Sequence, residues 1–261
     1  MYLVNKWYKN DQNQATGAVF VRPHPGLCGM TAPLFTSTRG ATLVGAGHLT
    51  RPLLAQALGL APDIVAVDGG ANRVLALGYQ PDCVLGDMDS ITPATRAQIP
   101  PNQLHPIAEQ DTTDFSKALR SVAVEFILAV GFSGPAMDHA LAAFHALTAH
   151  PWQRCILLGQ TDLCFLAPPH LTLRLPIGTR FSLFPMGRGR ACSAGLRWPL
   201  DGLDLAPDGQ IGTSNETSAR QVDLSCDAPN LLVILPKRAL RSALTALNGP
   251  MAARWPERRS A

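Results

Sequence analysis

Charge is scarce in this chain: only 16% of its 261 residues are Asp, Glu, Lys or Arg. No two cysteines form a CxxC pair, no apolar run approaches 18 residues, and no Walker A loop occurs. Each absence removes a class. The scattered cysteines 28, 83, 155, 164, 192 and 226 argue against a zinc site and a disulfide framework. Cys83, Cys155 and Cys164 lie in apolar runs, where cysteine behaves as a small buried hydrophobe, so a reduced, cytoplasmic protein is expected. Without a long apolar run, no transmembrane helix is expected. The opening stretch "MYLVNKWYKNDQNQ" turns polar too soon for a signal peptide. There is no internal repeat and no low-complexity block.

A positive body is lacking too. Net charge is +3, but residues 237–261 hold Lys237, Arg238, Arg241, Arg254, Arg258 and Arg259 against only Glu257. That segment carries +5, which leaves −2 for the rest (3 minus 5) and argues against nucleic-acid binding. The tail itself reads as solvated.

What is present is ordered. Hydrophobic residues make up 46%, enough for a sizeable core. Residues 1–40 read as a loose N-terminal extension, with Met30 as an alternative start. From residue 41, short apolar runs alternate with helical patterns. Strands are expected at 41–47, 63–70, 82–87, 105–108, 125–132 and 154–159. Helices are expected at 51–60, 71–78, 112–122 and 137–150. Gly78 reads as a helix stop, and Thr92 with Pro93 reads as the N-cap and first residue of a helix that Pro100 ends. Continuous apolar strands with helices between them imply a parallel sheet covered on both faces. After residue 160 the pattern becomes short strands separated by Gly, Pro and Asp, as in a small antiparallel sandwich. The expected class is therefore α/β followed by β. The domains are an α/β nucleotide-binding domain at 41–160, a β-sandwich at 161–236 and a basic tail at 237–261, which begins as a short helix.

Against the general scarcity of charge, "GDMDS" (86–90) and "EQDTTDFSKAL" (109–119) gather carboxylates. Asp68, Asp87 and Asp89 fall where strands end, which is where ligands of open parallel sheets bind. Asp87 and Asp89 are two apart and share a side of an extended segment. Asp111, Asp114 and Lys117 are spaced by threes and share a helical face. Any one Asp serves equally well as a turn former or cap, and Asp111 or Thr112 is a candidate cap for the next helix. Together the carboxylates demand more. Two like charges about 4 Å apart cost roughly 4 kcal/mol at an effective dielectric of about 20, so a counter-ion is expected. Oxygen donors without cysteine select a hard cation, and Mg²⁺ with a nucleotide fits best. "GAGHL" (45–49) is either an ordinary tight turn or a place where Gly45 and Gly47 let backbone N–H groups approach a phosphate.

"DGGANRVLALGYQPDCVLGDMDS", "EQDTTDFSKAL" and "MDHALA", with "GLRWPL" (195–200) and "TSNE" (213–216), resemble the thiamine pyrophosphokinase family over roughly residues 41–236. The resemblance implies transfer of the intact diphosphate of ATP to the hydroxyl of thiamine, releasing AMP. It also implies a homodimer with sites between subunits. By position, Asp87, Asp89 and Asp114 would hold Mg²⁺ with Asp68 close by. Gln110, Asp111 and Asp114 would orient the metal, the triphosphate and the thiamine hydroxyl, and Lys117 would offset phosphate charge. Asp138 and His139 would line the nucleotide or thiamine pocket. Ser214 and Asn215 would reach thiamine from the partner subunit, and Trp198 would stack on an aromatic ring. His105 and His145 read as structural.

One position departs from the family pattern: Ala136, after Pro135, stands where an arginine usually precedes the "DH" pair. Arg73 or Lys117 is the candidate replacement cation. Three rivals are a diphosphotransferase acting on a pterin alcohol, a sugar-nucleotide transferase reading "DMD" as DxD, and a non-catalytic thiamine or nucleotide sensor.

Overall fold

The computed structural model describes residues 32–133, 136–249 and 252–256. The proposed start at Met30 and Pro135 lie outside those residues, as does most of the extension.

The strands are β1 (Phe35–Thr36), β2 (Ala41–Val44), β3 (Asp63–Val67), β4 (Cys83–Gly86), β5 (Leu104–Pro106), β6 (Val122–Ala123), β7 (Ile127–Val130), β8 (Cys155–Leu158), β9 (Asp162–Leu166), β10 (His170–Arg174), β11 (Ser182–Pro185), β12 (Gly189–Ala194), β13 (Asp204–Leu205), β14 (Gln221–Cys226) and β15 (Leu231–Pro236). The helices are α1 (Arg51–Leu58), α2 (Gly70–Ala76), α3 (Pro93–Arg96), α4 (Asp114–Ser121), α5 (Met137–Ala149) and α6 (Leu240–Asn248).

Local chemistry sets the helix ends. Thr50, Thr92 and Thr113 are N-caps whose side chains accept from the backbone N–H three residues on, and Pro93 opens α3. Thr113 therefore caps α4, not Asp111 or Thr112. Helix α3 stops at Arg96, short of Pro100. Gly78, at φ +80°, ends α2: its N–H reaches Leu75 O (2.9 Å) while Tyr79 N–H reaches Val74 O (3.1 Å), a double closure of the last turn.

The main sheet has nine strands in the order β11-β15-β9-β8-β7-β2-β3-β4-β5. From β8 to β5 all neighbours are parallel; β8-β9, β9-β15 and β15-β11 are antiparallel. A second sheet, β10-β14-β12-β13, packs across its antiparallel end. The sheet therefore runs on through residue 160, where strand direction changes. Strands β9, β15 and β11 serve both as its edge and as one layer of the sandwich.

Both faces are covered. Leu53, Leu54 and Ala57 of α1 and Val74 of α2 pack with Val44, Ile64 and Val84 on one face, and that core continues into Leu171, Leu173, Val222, Leu224 and Val233 of the sandwich. Phe115 and Leu119 of α4 and Ala146 and Leu147 of α5 cover Leu43, Val65, Leu85 and Ile127 on the other. Cys83, Cys155 and Cys164 are buried with free thiols, as their apolar settings imply. Burial, with Asp82 adding to it, pushes the Cys83 thiol up to about 12.

The tail differs from the solvated segment expected. Residues 252–256 lie on the body: the half-buried Trp255 donates its indole N–H to Ala167 O (2.8 Å), and Arg254 reaches Glu125 O (3.5 Å). Residues 257–261 lie outside the described set.

Candidate active site

The loops leaving β3, β4 and β5 meet at the carboxyl edge of the parallel sheet. Asp68 follows β3, Asp87 and Asp89 follow β4, and residues 107–113 lead from β5 into α4. Asp68, Asp87 and Asp89 each offer a carboxylate oxygen, and the three oxygens lie within 4.8 Å of one another. Asp68 is buried, Asp87 half-buried and Asp89 exposed, so the group opens from the sheet edge to solvent.

Backbone geometry makes this convergence possible. Among the described residues, three non-glycine positions have positive φ: Asp68 (45°), Met88 (68°) and Ser214 (62°). All three lie in loops where the sequence pattern places site residues. Such conformations cost on the order of 1–3 kcal/mol each and persist only where surrounding contacts enforce them. Gly86 (φ 140°) lets β4 run close beneath Asp68, since a Cβ there would lie 2.9 Å from the Asp68 Cβ.

Hydrogen bonds then fix the carboxylates. Ser90 N–H donates to Asp68 Oδ1 (3.3 Å), Ser90 Oγ–H to Asp89 Oδ1 (2.8 Å) and Asp89 N–H to Asp87 Oδ1 (3.4 Å). Asp87 Oδ2 accepts from Gln110 Nε2 (3.3 Å) and from Lys117 Nζ (3.5 Å). Lys117 also donates to Asp114 Oδ1 (2.9 Å), and its side chain is only 2% exposed. Nearly the whole ammonium is thus committed to the acidic group.

Charge states follow. Burial alone would raise the Asp87 carboxyl, but the Asp89 N–H, the Gln110 amide and the Lys117 charge together hold it below its ordinary value. Asp114 goes the other way: burial outweighs its bond to Lys117, and the Asp87 and Asp68 charges push it further up. Burial would lower the Lys117 ammonium, yet its bond to Asp114 and the charges of Asp114 and Asp87 raise it.

Not every expected residue joins this group. Asp111 is exposed and makes no side-chain hydrogen bond among the described residues. Asp138 Oδ1 accepts the His139 N–H (2.9 Å) at the start of α5, and both residues are exposed. Gly45 and Gly47 pack against the β7 loop, where a Cβ on either would meet Gly131 O at 2.6 Å. Their N–H groups donate to Val130 O (2.9 Å) and Gly131 O (2.7 Å), so this is a turn that lets two loops touch.

In the sandwich, Trp198 is 53% exposed with the Arg197 guanidinium 4.9 Å from its ring centroid. Asn215 is buried, accepts from Trp198 N–H (3.2 Å) and Glu216 N–H (2.9 Å), and donates to Trp198 O (2.6 Å). It holds the Trp198 loop in place. Ser214 N–H donates to Ser182 Oγ (3.0 Å). Asn215→Ala should therefore lower stability by about 2–3 kcal/mol, since backbone groups are left without partners. Urea unfolding checks this, and a loss under about 0.5 kcal/mol contradicts it.

Sequence reasoning missed Glu109, Arg120, Asn72 and Ser90. Glu109 accepts from Thr112 N–H (2.5 Å), Thr112 Oγ–H (3.0 Å) and the Arg120 guanidinium, which together pin the loop before α4. The available signal was an acid and a base one helix apart. Asn72, a poor helix former in the first turn of α2, signalled a side-chain task.

Fold and site together define an α/β protein with a carboxylate cluster at its sheet edge and an appended β-sandwich. Residues 54–157 match the family model "Thiamin pyrophosphokinase, catalytic domain", and residues 170–231 match "Thiamin pyrophosphokinase, vitamin B1 binding domain". Thiamine pyrophosphokinase 3 of Oryza sativa subsp. japonica is 30% identical over 185 residues, covering 58% of this chain and 69% of the relative. Thiamine pyrophosphokinase 1 of Arabidopsis thaliana is 28% identical over 209 residues, covering 67% and 78%. Thiamin pyrophosphokinase from Candida albicans shares the fold with TM-score 0.65 at 16% identity, covering 78% of this chain and 93% of that one. The chain belongs to the thiamine pyrophosphokinase family and is an enzyme of that class.

Proposed function

We propose that the protein transfers the diphosphate of ATP to the hydroxyl of thiamine, giving thiamine diphosphate and AMP, with Mg²⁺ at the carboxylate cluster. The observation that carries this is the meeting of Asp68, Asp87 and Asp89 oxygens within 4.8 Å in a chain matching both family domains. The donor set fits the metal: it is all oxygen, negatively charged and open on one side for substrate phosphates. When bound, Mg²⁺ would neutralise charge on the phosphates.

The chain's own groups do the rest. Asp87, held ionised by its donors, stays a competent ligand at neutral pH. Gln110 and Lys117 orient Asp87, and Lys117 offsets the summed negative charge. In this reading Asp114 accepts the thiamine hydroxyl proton: it is half-buried beside Lys117 and burial raises its carboxyl above the ordinary value, whereas Asp111 is exposed. The thiamine oxygen bonds to the β-phosphorus as the bond to the bridging α–β oxygen breaks, and that oxygen leaves with AMP. Arg73 is the replacement for the arginine absent at Ala136. It is exposed, and its Nε donates to Ala46 O (3.2 Å) beside the sheet edge.

A homodimer belongs to the same reading. Met137 is 77% and Leu141 57% exposed, one turn apart on α5, and Trp198 of the sandwich is 53% exposed; a second copy would cover such apolar groups. A cytoplasmic location fits the free cysteines. No described helix is long and apolar enough to cross a membrane.

Chromatography after incubation with Mg-ATP and thiamine tests the reaction. AMP and thiamine diphosphate should appear in equal amounts. Release of ADP means a simple kinase, and thiamine binding without AMP means a sensor; either overturns the proposal.

A further inference from the structure

The carboxylate cluster sits on a loop that does not hold itself. Residues 87–92 form no regular element apart from their last residue, the Thr92 cap, and Met88 in their middle has a positive φ (68°). Besides the bonds that Asp87 receives from Gln110 and Lys117 and that Ser90 gives to Asp68, one further side chain ties the loop from outside. Asn72 Nδ2–H donates to Ser90 O (2.8 Å), and Asn72 Oδ1 accepts from Thr92 N–H (3.1 Å). One planar amide thus spans the two backbone groups that flank Ile91. Ile91 is itself buried in the core, which locks that end of the loop.

What the amide grips is the residue that sets two of the three carboxylates. Ser90 donates its N–H to Asp68 Oδ1 (3.3 Å) and its Oγ–H to Asp89 Oδ1 (2.8 Å). A shift of Ser90 therefore moves both partners at once. The amide is anchored on α2, whose first residue Gly70 packs against the end of β2, where a Cβ would lie 1.8 Å from Val44 O. The chain of support runs from sheet to α2, from α2 through Asn72 to Ser90, and from Ser90 to Asp68 and Asp89.

We propose that Asn72 is a positioning residue for the divalent-cation site: its side-chain amide clamps Ser90 and Thr92 so that Asp68 and Asp89 converge with Asp87. In this role Asn72 acts through Ser90 and Thr92, not by direct contact with the cation. The inference rests on the cation reading of the cluster.

The test is Mn²⁺ titration of the full-length protein followed by electron paramagnetic resonance, with no substrate present. Asn72→Ala should weaken Mn²⁺ binding by about 10–100-fold, the range for residues that orient metal ligands. Gln98→Ala, which removes a comparable exposed bond to Ala94 O (3.0 Å) on α3, should leave Mn²⁺ affinity within about twofold. Asn72→Ser keeps a polar group at this half-buried place but is too short to span the two contacts. It should reproduce the Asn72→Ala loss and serves if alanine does not fold. With Mg-ATP and thiamine, both variants should show a raised Mg²⁺ half-saturation, and excess Mg²⁺ should recover most of kcat. If either folded variant binds Mn²⁺ as the unaltered protein does, the clamp is structural only and the inference fails. If the unaltered protein itself binds no Mn²⁺, the cation reading fails instead.

Discussion

Asp87→Asn should lower turnover on the order of 10³-fold or more while leaving the folded structure intact. The amide has the same shape and keeps an oxygen that accepts from Gln110, so local packing survives. What disappears is one of three charges that converge within 4.8 Å, the one whose pKa its donors hold down. The remaining Asp68 and Asp89 repel less, so the metal-free protein gains nothing from folding differently. Asp114→Asn should cause a comparable loss for another reason: the amide cannot take the hydroxyl proton. Steady-state rates on purified variants, with circular dichroism as the folding control, decide both. Asp87→Asn keeping more than about a tenth of the unaltered rate would remove the cluster from the chemistry, and Asp114→Asn doing so would remove Asp114 as the base.

Lys117→Met should destabilise the metal-free protein by about 2–3 kcal/mol. Breaking a buried ion pair costs roughly 3–5 kcal/mol because the partner stays buried and uncompensated. The figure here is lower because the Asp87 and Asp114 side chains are 15% and 31% exposed and keep some water. For a chain of this size that is an unfolding midpoint lower by about 5–10 °C. Saturating Mg²⁺ should recover part of the loss, since a cation at the cluster offsets the same charges. The pH dependence has a definite sign. Lys117 has a folded pKa above its ordinary 10.5, so its contribution is complete below that value and lost as pH rises through the folded pKa. The alkaline fall in stability should shrink in Lys117→Met. Calorimetry across alkaline pH checks this, and a variant with unchanged midpoint and unchanged alkaline limb would contradict the ion-pair description.

Most of the α/β half was legible in the chain, for a local reason. Runs such as "IVAV" (64–67) and "ILAV" (127–130) are apolar at every position, which suits strands buried on both faces, and each was found within a strand. Thr92-Pro93 and Gly78 marked helix ends because capping depends on one or two residues. Strand β14 carries a different local signal, which the sequence reading passed over: "QVDLSC" alternates polar and apolar residues, as a strand buried on one face does, and it pairs with β10 and β12.

The sequence by itself determined the identity of the acidic residues, their attachment to strand ends and the need for a compensating positive charge, because these follow from residue type and spacing along one segment. Only the tertiary structure decided that Asp68 stands with Asp87 and Asp89 while Asp111 stays apart. It alone decided that Lys117 is buried against Asp114, that Asn72 bridges to Ser90, and that β9, β15 and β11 extend the parallel sheet. Those outcomes depend on strand order and on left-handed backbone at Asp68 and Met88, and both are settled by contacts between segments far apart in the chain.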